Sequence, residues 1–189
     1  MYLFTQMLLL LLISWPVVDK PEKENVDDLC YEFSQVNNGY TFRGSFFVKA
    51  DPTCLIHIFY DFHHLVNFVT NADSIVLLRE GDIWYEVCYT YRKFLFESRS
   101  IYRKTLKQEE QRVTFEMITS EQRGVFLPKV LSSTGYYELK SEKEGYKAVY
   151  FQECKIESNF LKGIYLHMAK KEAIRFLREL KMYVERTCY

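Results

Sequence analysis

The C-terminal segment constrains this chain more than any other. From Ser158 to about Arg186, apolar residues recur at helical spacing: Phe160, Ile164, Met168, Ala173, Phe176, Leu177, Leu180 and Val184. Lys170, Lys171, Arg175, Arg178 and Lys181 fall largely outside that stripe. At 1.5 Å per residue such a helix runs roughly 40 Å, the longest element the chain can form. A one-sided apolar face of that length is stable only against another apolar layer.

The preceding sequence supplies a sheet for it. Ile83 to Phe94 alternates: Ile83, Tyr85, Val87, Tyr89 and Tyr91 share one face, and Trp84, Glu86, Cys88, Thr90 and Arg92 share the other. Further strands are expected at Tyr40–Lys49, Ser74–Arg79, Phe96–Leu106, Val113–Thr119 (Val113, Phe115 and Met117 on one side), Val130–Lys140 and Tyr146–Ile156. Turn residues separate them, among them Glu80-Gly81-Asp82 and the segment Ser141 to Gly145. After the first strand, Asp51 can cap a helix with Pro52 at its first position. Leu55, Ile58, Phe59, Phe62, Leu65, Val66 and Val69 continue it at helical spacing, with a break expected near Asp61. The order is strand, two short helices, about six antiparallel strands, long helix. That is an α+β fold of two layers, in which a curved sheet clasps one helix.

The chain has 189 residues, one domain's worth, with 25 acidic and 25 basic side chains. A zero balance excludes a uniformly basic surface, so no nucleic-acid partner is expected. Residues 1–18 stand apart. Met7 to Ile13 is an almost pure leucine run, extended by Trp15 to Val18. About twelve apolar residues suit a signal-peptide core better than a membrane span of roughly twenty. A cleaved signal is the first reading; an uncleaved N-terminal anchor and an internal start are the others. Either of the first two makes the protein exported (periplasmic or secreted) or membrane-tethered. Residues 19–36 begin polar and acidic and are read as a leader, leaving 37–189 as the domain. The five cysteines, at 30, 54, 88, 154 and 188, form no C-x-x-C pair, which argues against zinc. In an exported domain one or two disulfides can form. Cys30 with Cys188 is the first pair to test, and buried free thiols are the alternative.

Three stretches carry a family resemblance. Ser45-Phe46-Phe47-Val48-Lys49-Ala50-Asp51-Pro52 is similar to a first strand entering a first helix. Tyr60-Asp61-Phe62-His63-His64-Leu65-Val66-Asn67-Phe68-Val69 is similar to a D-[YF]-x-x-[LY]-x-x-[FW] segment. Gly135-Tyr136-Tyr137-Glu138-Leu139 is similar to a G-x-W-x-L strand, with Tyr137 in place of the tryptophan. With Ala169 to Leu180 as the closing helix, residues 40–187 resemble the START-like, or SRPBCC, superfamily of helix-grip proteins. It includes polyketide cyclases, coenzyme Q-binding proteins and lipid-transfer domains. The resemblance implies a cavity between sheet and closing helix that holds an apolar molecule. By strand parity it would be lined by Tyr85, Val87, Tyr89, Tyr91, Phe115, Met117, Tyr137, Tyr150, Ile164 and Met168. The same residues would face inward in a solid core.

No nucleophile or phosphate-loop motif occurs, and no cofactor is expected. His63 and His64 are adjacent, about 100° apart on a helix, and read as exposed residues rather than metal ligands. His57 reads as a half-buried core histidine; for His167, next to Met168 on the closing helix, a role at the cavity is the lesser alternative. Arg99, Arg103, Lys104 and Lys107 read as a solvated face, or else as a patch for an anionic membrane. The expected function is non-catalytic binding or transfer of a hydrophobic small molecule, of lipid, quinone or polyketide class, by a monomer that can touch a membrane surface. A cyclase- or hydrolase-like enzyme of the same fold and a protein-interaction module are the alternatives. A slip of one in the parity of Ile83–Phe94 would turn Glu86 and Arg92 inward and strengthen the enzyme reading.

Overall fold

The computed structural model describes residues 22–26, 28–93, 96–124 and 128–189. The expected N-terminal signal or anchor, residues 1–18, lies outside them. Among the described residues no helix is long and apolar enough to cross a membrane.

The fold is α+β, a nine-stranded antiparallel curved sheet with two short helices and one long one. The strands are β1 (Glu22–Val26), β2 (Leu29–Val36), β3 (Gly39–Val48), β4 (Ser74–Glu80), β5 (Trp84–Lys93), β6 (Phe96–Lys107), β7 (Arg112–Arg123), β8 (Val130–Glu142) and β9 (Gly145–Ile156). The helices are α1 (Pro52–Tyr60), α2 (Phe62–Phe68) and α3 (Lys162–Thr187). The spatial order is β1-β2-β3-β9-β8-β7-β6-β5-β4. All neighbours are sequential except β3 and β9, whose pairing (Phe46 opposite Ala148, Phe42 opposite Gln152) joins the first strands to the last.

The sheet has more strands than the six or seven expected, because part of the supposed leader 19–36 is sheet. In β2, Leu29, Tyr31 and Phe33 alternate inward, all buried, and the strand pairs along its length with β3. The period-two signal was present but followed an acidic run that reads as linker. β1 is polar up to its last residue, Val26, as an edge strand can be.

Three register shifts bend the sheet. They leave Leu78, Ile118 and Leu131 unmatched in β4, β7 and β8, and all three are exposed. One extra residue in a strand increases local twist and turns the next side chains to the opposite face.

Asp61 separates α1 from α2 as the sequence suggested. Its backbone N–H donates to His57 O, ending α1, and its carboxylate Oδ1 accepts from His63 N at 2.7 Å, starting α2. Asp51 caps α1 in the same way through Thr53 N. Asp61→Ala is expected to cost about 1 kcal/mol and to lower Tm by roughly 2–4 °C, read by thermal unfolding under circular dichroism.

α3 begins at Lys162, later than the expected Ser158, and its buried face is turned from the expected stripe. Leu166, Ala173, Leu177, Leu180, Tyr183 and Val184 are buried, whereas Phe160 is 82 % exposed. The C-terminal half of the helix packs on β2, β3 and α2. There Leu177 lies directly on Gly44, where a Cβ would come within 2.4 Å of its methyl. On the N-terminal half Leu166 is buried, while Ile164 and Met168 remain 49 % and 41 % exposed.

Cys54 and Cys188 form a disulfide, joining α1 to the end of α3. The expected partner, Cys30, is a free exposed thiol on β2, while Cys88 and Cys154 are free and buried.

Candidate ligand cavity

A cavity of about 480 Å³ lies between the concave face of the sheet and the N-terminal half of α3. That is within the ~300–1,000 Å³ of small-molecule sites. On the side away from the disulfide, the helix stands over the sheet and contributes Tyr165, Met168, Ala169, Glu172, Ala173 and Phe176 to the wall.

Of the ten residues expected around it, six line the cavity: Tyr89, Tyr91, Phe115, Tyr137, Tyr150 and Met168. The other four do not, each for a definable reason. Tyr85 is buried under the short helices, its ring edge-on to Tyr60 and Phe62. Val87 is wholly buried in the core beside it. Met117 precedes the extra residue Ile118, after which β7 presents Ser120 and Gln122 inward, opposite Ser100 and Ser98. Ile164 lies on the exposed side of α3.

The parity of β5 is as expected. Glu86 faces outward, sealed by Arg79 at 2.6 Å and Arg103 at 2.8 Å, and these guanidinium hydrogen bonds, Arg103's first, hold its carboxyl below the usual range. Arg92 reaches the mouth of the cavity rather than its interior.

The interior wall is a network of rings. Tyr150 stands 4.9 Å from Phe176, 5.2 Å from Tyr137 and 5.8 Å from Phe115, centroid to centroid. Their hydroxyls are buried, and desolvation raises the pKa of Tyr89, Tyr91, Tyr137 and Tyr150, so these phenols stay protonated donors. Tyr40 donates to Gln152 Oε1 at 3.4 Å, and Gln152 Nε2 donates to Ser133 at 3.0 Å. Burial pushes the Cys154 thiol up to about 11. It is an inert part of the wall.

β6 contributes a ladder of alternate residues from mouth to floor: Phe96, Ser98, Ser100, Tyr102 and Lys104. Lys104 was read from sequence as part of a basic surface. It is instead 2 % exposed and points into the cavity, its Nζ 4.8 Å above the Tyr137 ring with no hydrogen-bond partner. Burial alone lowers its pKa to about 7. Arg103, its neighbour, faces outward to Glu86, and Arg99 Nε donates to Cys88 Sγ at 3.2 Å. The four basic residues are therefore not one patch. Strand parity could have separated Lys104 from Arg103, but charge argued for solvent.

The mouth is spanned by the segment between α2 and β4. Thr70 Oγ1 donates to Glu179 at 2.7 Å and Asn71 Nδ2 to Glu172 at 3.2 Å, tying the segment to α3. Asp73, on the same segment, accepts from the backbone N–H of Arg92. The carboxylates of the lining, Asp73 and Glu172, are thus both at the mouth and both bonded, and Glu172 also pairs with Arg175. Thr70→Ala with Asn71→Ala removes both ties to the helix. At about 1 kcal/mol each, release of a bound apolar fluorophore is expected to speed roughly thirtyfold, measured by stopped-flow.

The histidines sit away from this mouth. His57 is exposed rather than half-buried, its Nε2 3.2 Å from Asp61. His64 is half-buried, Nδ1 2.8 Å from the Tyr183 hydroxyl and Nε2 3.2 Å from His57 Nδ1, linking α1, α2 and α3. His63 and His167 are exposed, and His167 is not part of the lining. No metal-ligating cluster occurs among the described residues.

No family model and no curated protein sequence matches the chain, whereas solved structures do. Human StAR-related lipid transfer protein 5 superposes with a TM-score of 0.64 at 10% identity, covering 98% of this chain and 94% of that one. The Zhui aromatase/cyclase of a Streptomyces species gives 0.62 at 12%, covering 77% and 93%. A STAR-related lipid transfer protein from Xanthomonas axonopodis gives 0.59 at 13%, covering 86% and 99%. The curved sheet, the paired short helices and the closing helix are shared at this level, and the chain has the helix-grip fold of these structures.

Proposed function

We propose that this protein binds and carries a hydrophobic small molecule, of lipid, quinone or polyketide class, without transforming it. The observation that carries the reading is the cavity itself, about 480 Å³ walled mainly by aromatic and aliphatic side chains, with polar groups among them that can orient a ligand. Burying apolar ligand surface there supplies affinity at about 25 cal/mol per Å². Asp73 and Glu172, the carboxylates among the described lining residues, are both hydrogen-bonded at the mouth, which supports carriage over catalysis. Similar folds named for lipid transfer and for aromatase/cyclase activity support the ligand class.

We further propose that the protein works outside the cytoplasm or tethered at a membrane. The apolar run at residues 7–13 and the Cys54–Cys188 disulfide support an oxidising compartment. Ile164 and Met168, exposed on the helix that borders the mouth, and Phe160 just before it, support contact with a membrane surface.

Native mass spectrometry of the protein purified from its exporting compartment, followed by organic extraction, tests the carrier reading. A stoichiometric apolar molecule is the expected result. A clean apo mass, with no uptake from a mixed lipid extract, overturns it.

A further inference from the structure

Lys104 is the one feature of the cavity that apolar binding does not use. A lysine side chain has a long stem that normally carries its charge to solvent. Here the stem runs along the inner face of β6, between Tyr85 on β5 and Phe115 on β7, its direct cross-strand neighbours. The amine ends over the face of Tyr137. All three hydrogens of the ammonium lack an acceptor, and burying polar hydrogens without partners is costly. The ring face offers electrostatic attraction from one side only. The rest of the ammonium's environment must come from whatever fills the cavity.

We propose that the ligand is an amphipathic monocarboxylic acid that enters head first and seats its carboxylate on Lys104. This rests on the carrier reading above and names the ligand class. The charge of the site specifies a monoanion. Arg92, the other cation of the lining among the described residues, is at the mouth, where its backbone N–H already holds Asp73. A doubly charged head group such as a phosphate monoester would bury one charge without a counterpart beside Lys104. A carboxylate balances one ammonium, and its oxygens accept the hydrogens the protein leaves free.

The geometry also orients the ligand. β6 passes from half-buried Ser98 at the mouth, through Ser100 and Tyr102, to Lys104 at the floor. A head group drawn to the floor places the apolar body against Tyr150, Phe115 and Phe176 and leaves the tail toward Met168.

The test uses three probes that share one chain: dodecanoic acid, its methyl ester and dodecanol, titrated calorimetrically into the full-length protein and into Lys104→Met. The wild type is expected to bind the acid at least about tenfold more tightly than the ester or alcohol, the range of a charged hydrogen bond. Lys104→Met is expected to lose that preference, binding acid, ester and alcohol within a few-fold of one another. Lys104→Leu, of different shape, is expected to behave the same way. Equal affinity of the wild type for all three probes overturns the carboxylate anchor and leaves the carrier reading standing. A preference for the acid that survives in both variants also overturns it. Binding of none of the three overturns the anchor, and with a clean apo mass the carrier reading falls too.

Discussion

Lys104→Met is expected to make the ligand-free protein more stable, by about 3–5 kcal/mol at pH 7. The wild-type amine titrates near 7 in the folded protein, lowered by burial with no charged neighbour contributing. In the unfolded chain it titrates near 10.4. The sign follows from proton binding. Below about pH 7 both states carry the proton, and the full cost of a buried charge stands. From about 7 to 10 the unfolded chain holds a proton that the native state has released, so wild-type stability rises with pH. Above that range both states are neutral and the cost is gone. The advantage of methionine is therefore greatest at and below pH 7 and shrinks steadily toward pH 10. Beyond pH 10 the buried phenols, whose pKa values are raised in the fold, destabilise both proteins alike. Paired chemical denaturation of the two proteins across pH 6–10 measures this. An unchanged or lowered stability in Lys104→Met would show that the amine is already satisfied in the empty cavity. A residue that costs stability at rest while lying in the ligand's path is the pattern expected of a binding group.

Loss of the Cys54–Cys188 disulfide is expected to cost a comparable amount, about 3–5 kcal/mol. The bridge spans 134 residues of sequence. Closing so long a loop removes much of the unfolded chain's freedom, and the entropic argument places the gain near the top of the usual range. At roughly 2–4 °C per kcal/mol for a domain of this size, Cys54→Ser with Cys188→Ser lowers Tm by about 10–15 °C. A reductant lowers the wild type by a similar amount and leaves the double variant unchanged. If the reductant has no effect on the wild type, the two cysteines are not bridged in solution. The bridge also has a positional consequence. It pins α3 to α1 at the end where Leu177 meets Gly44, and leaves the other half of the helix over the cavity. Weakening that pin is expected to loosen the cavity wall without changing its lining.

Much of the architecture could be read from local pattern. Alternation in Tyr85 to Tyr91 determined that β5 is a strand and which of its faces is inward. Asp51-Pro52 and Asp61 determined where two short helices begin, because a capping carboxylate satisfies backbone N–H groups only a few residues away. The amphipathic tail required a sheet to cover. These signals are local, so they survive without knowledge of the fold.

What the tertiary structure decided lies in contacts between distant segments. The strand Leu29–Val36 carried the right alternation but an acidic preface, and only its pairing with β3 distinguishes it from a leader. Met117 kept its expected parity, opposite Tyr102, and Ile164 its helical spacing, yet neither lines the cavity; which inward residues do is decided by how the strands and α3 pack. Cys54 and Cys188, the one at a helix start and the other near the chain's end, are brought together only by the docking of α3. Lys104 is the clearest case. Its charge predicts solvent and its parity predicts the interior, and nothing within β6 says which wins. The neighbouring strands and the closing helix decide it, by walling in a side chain too short to reach water.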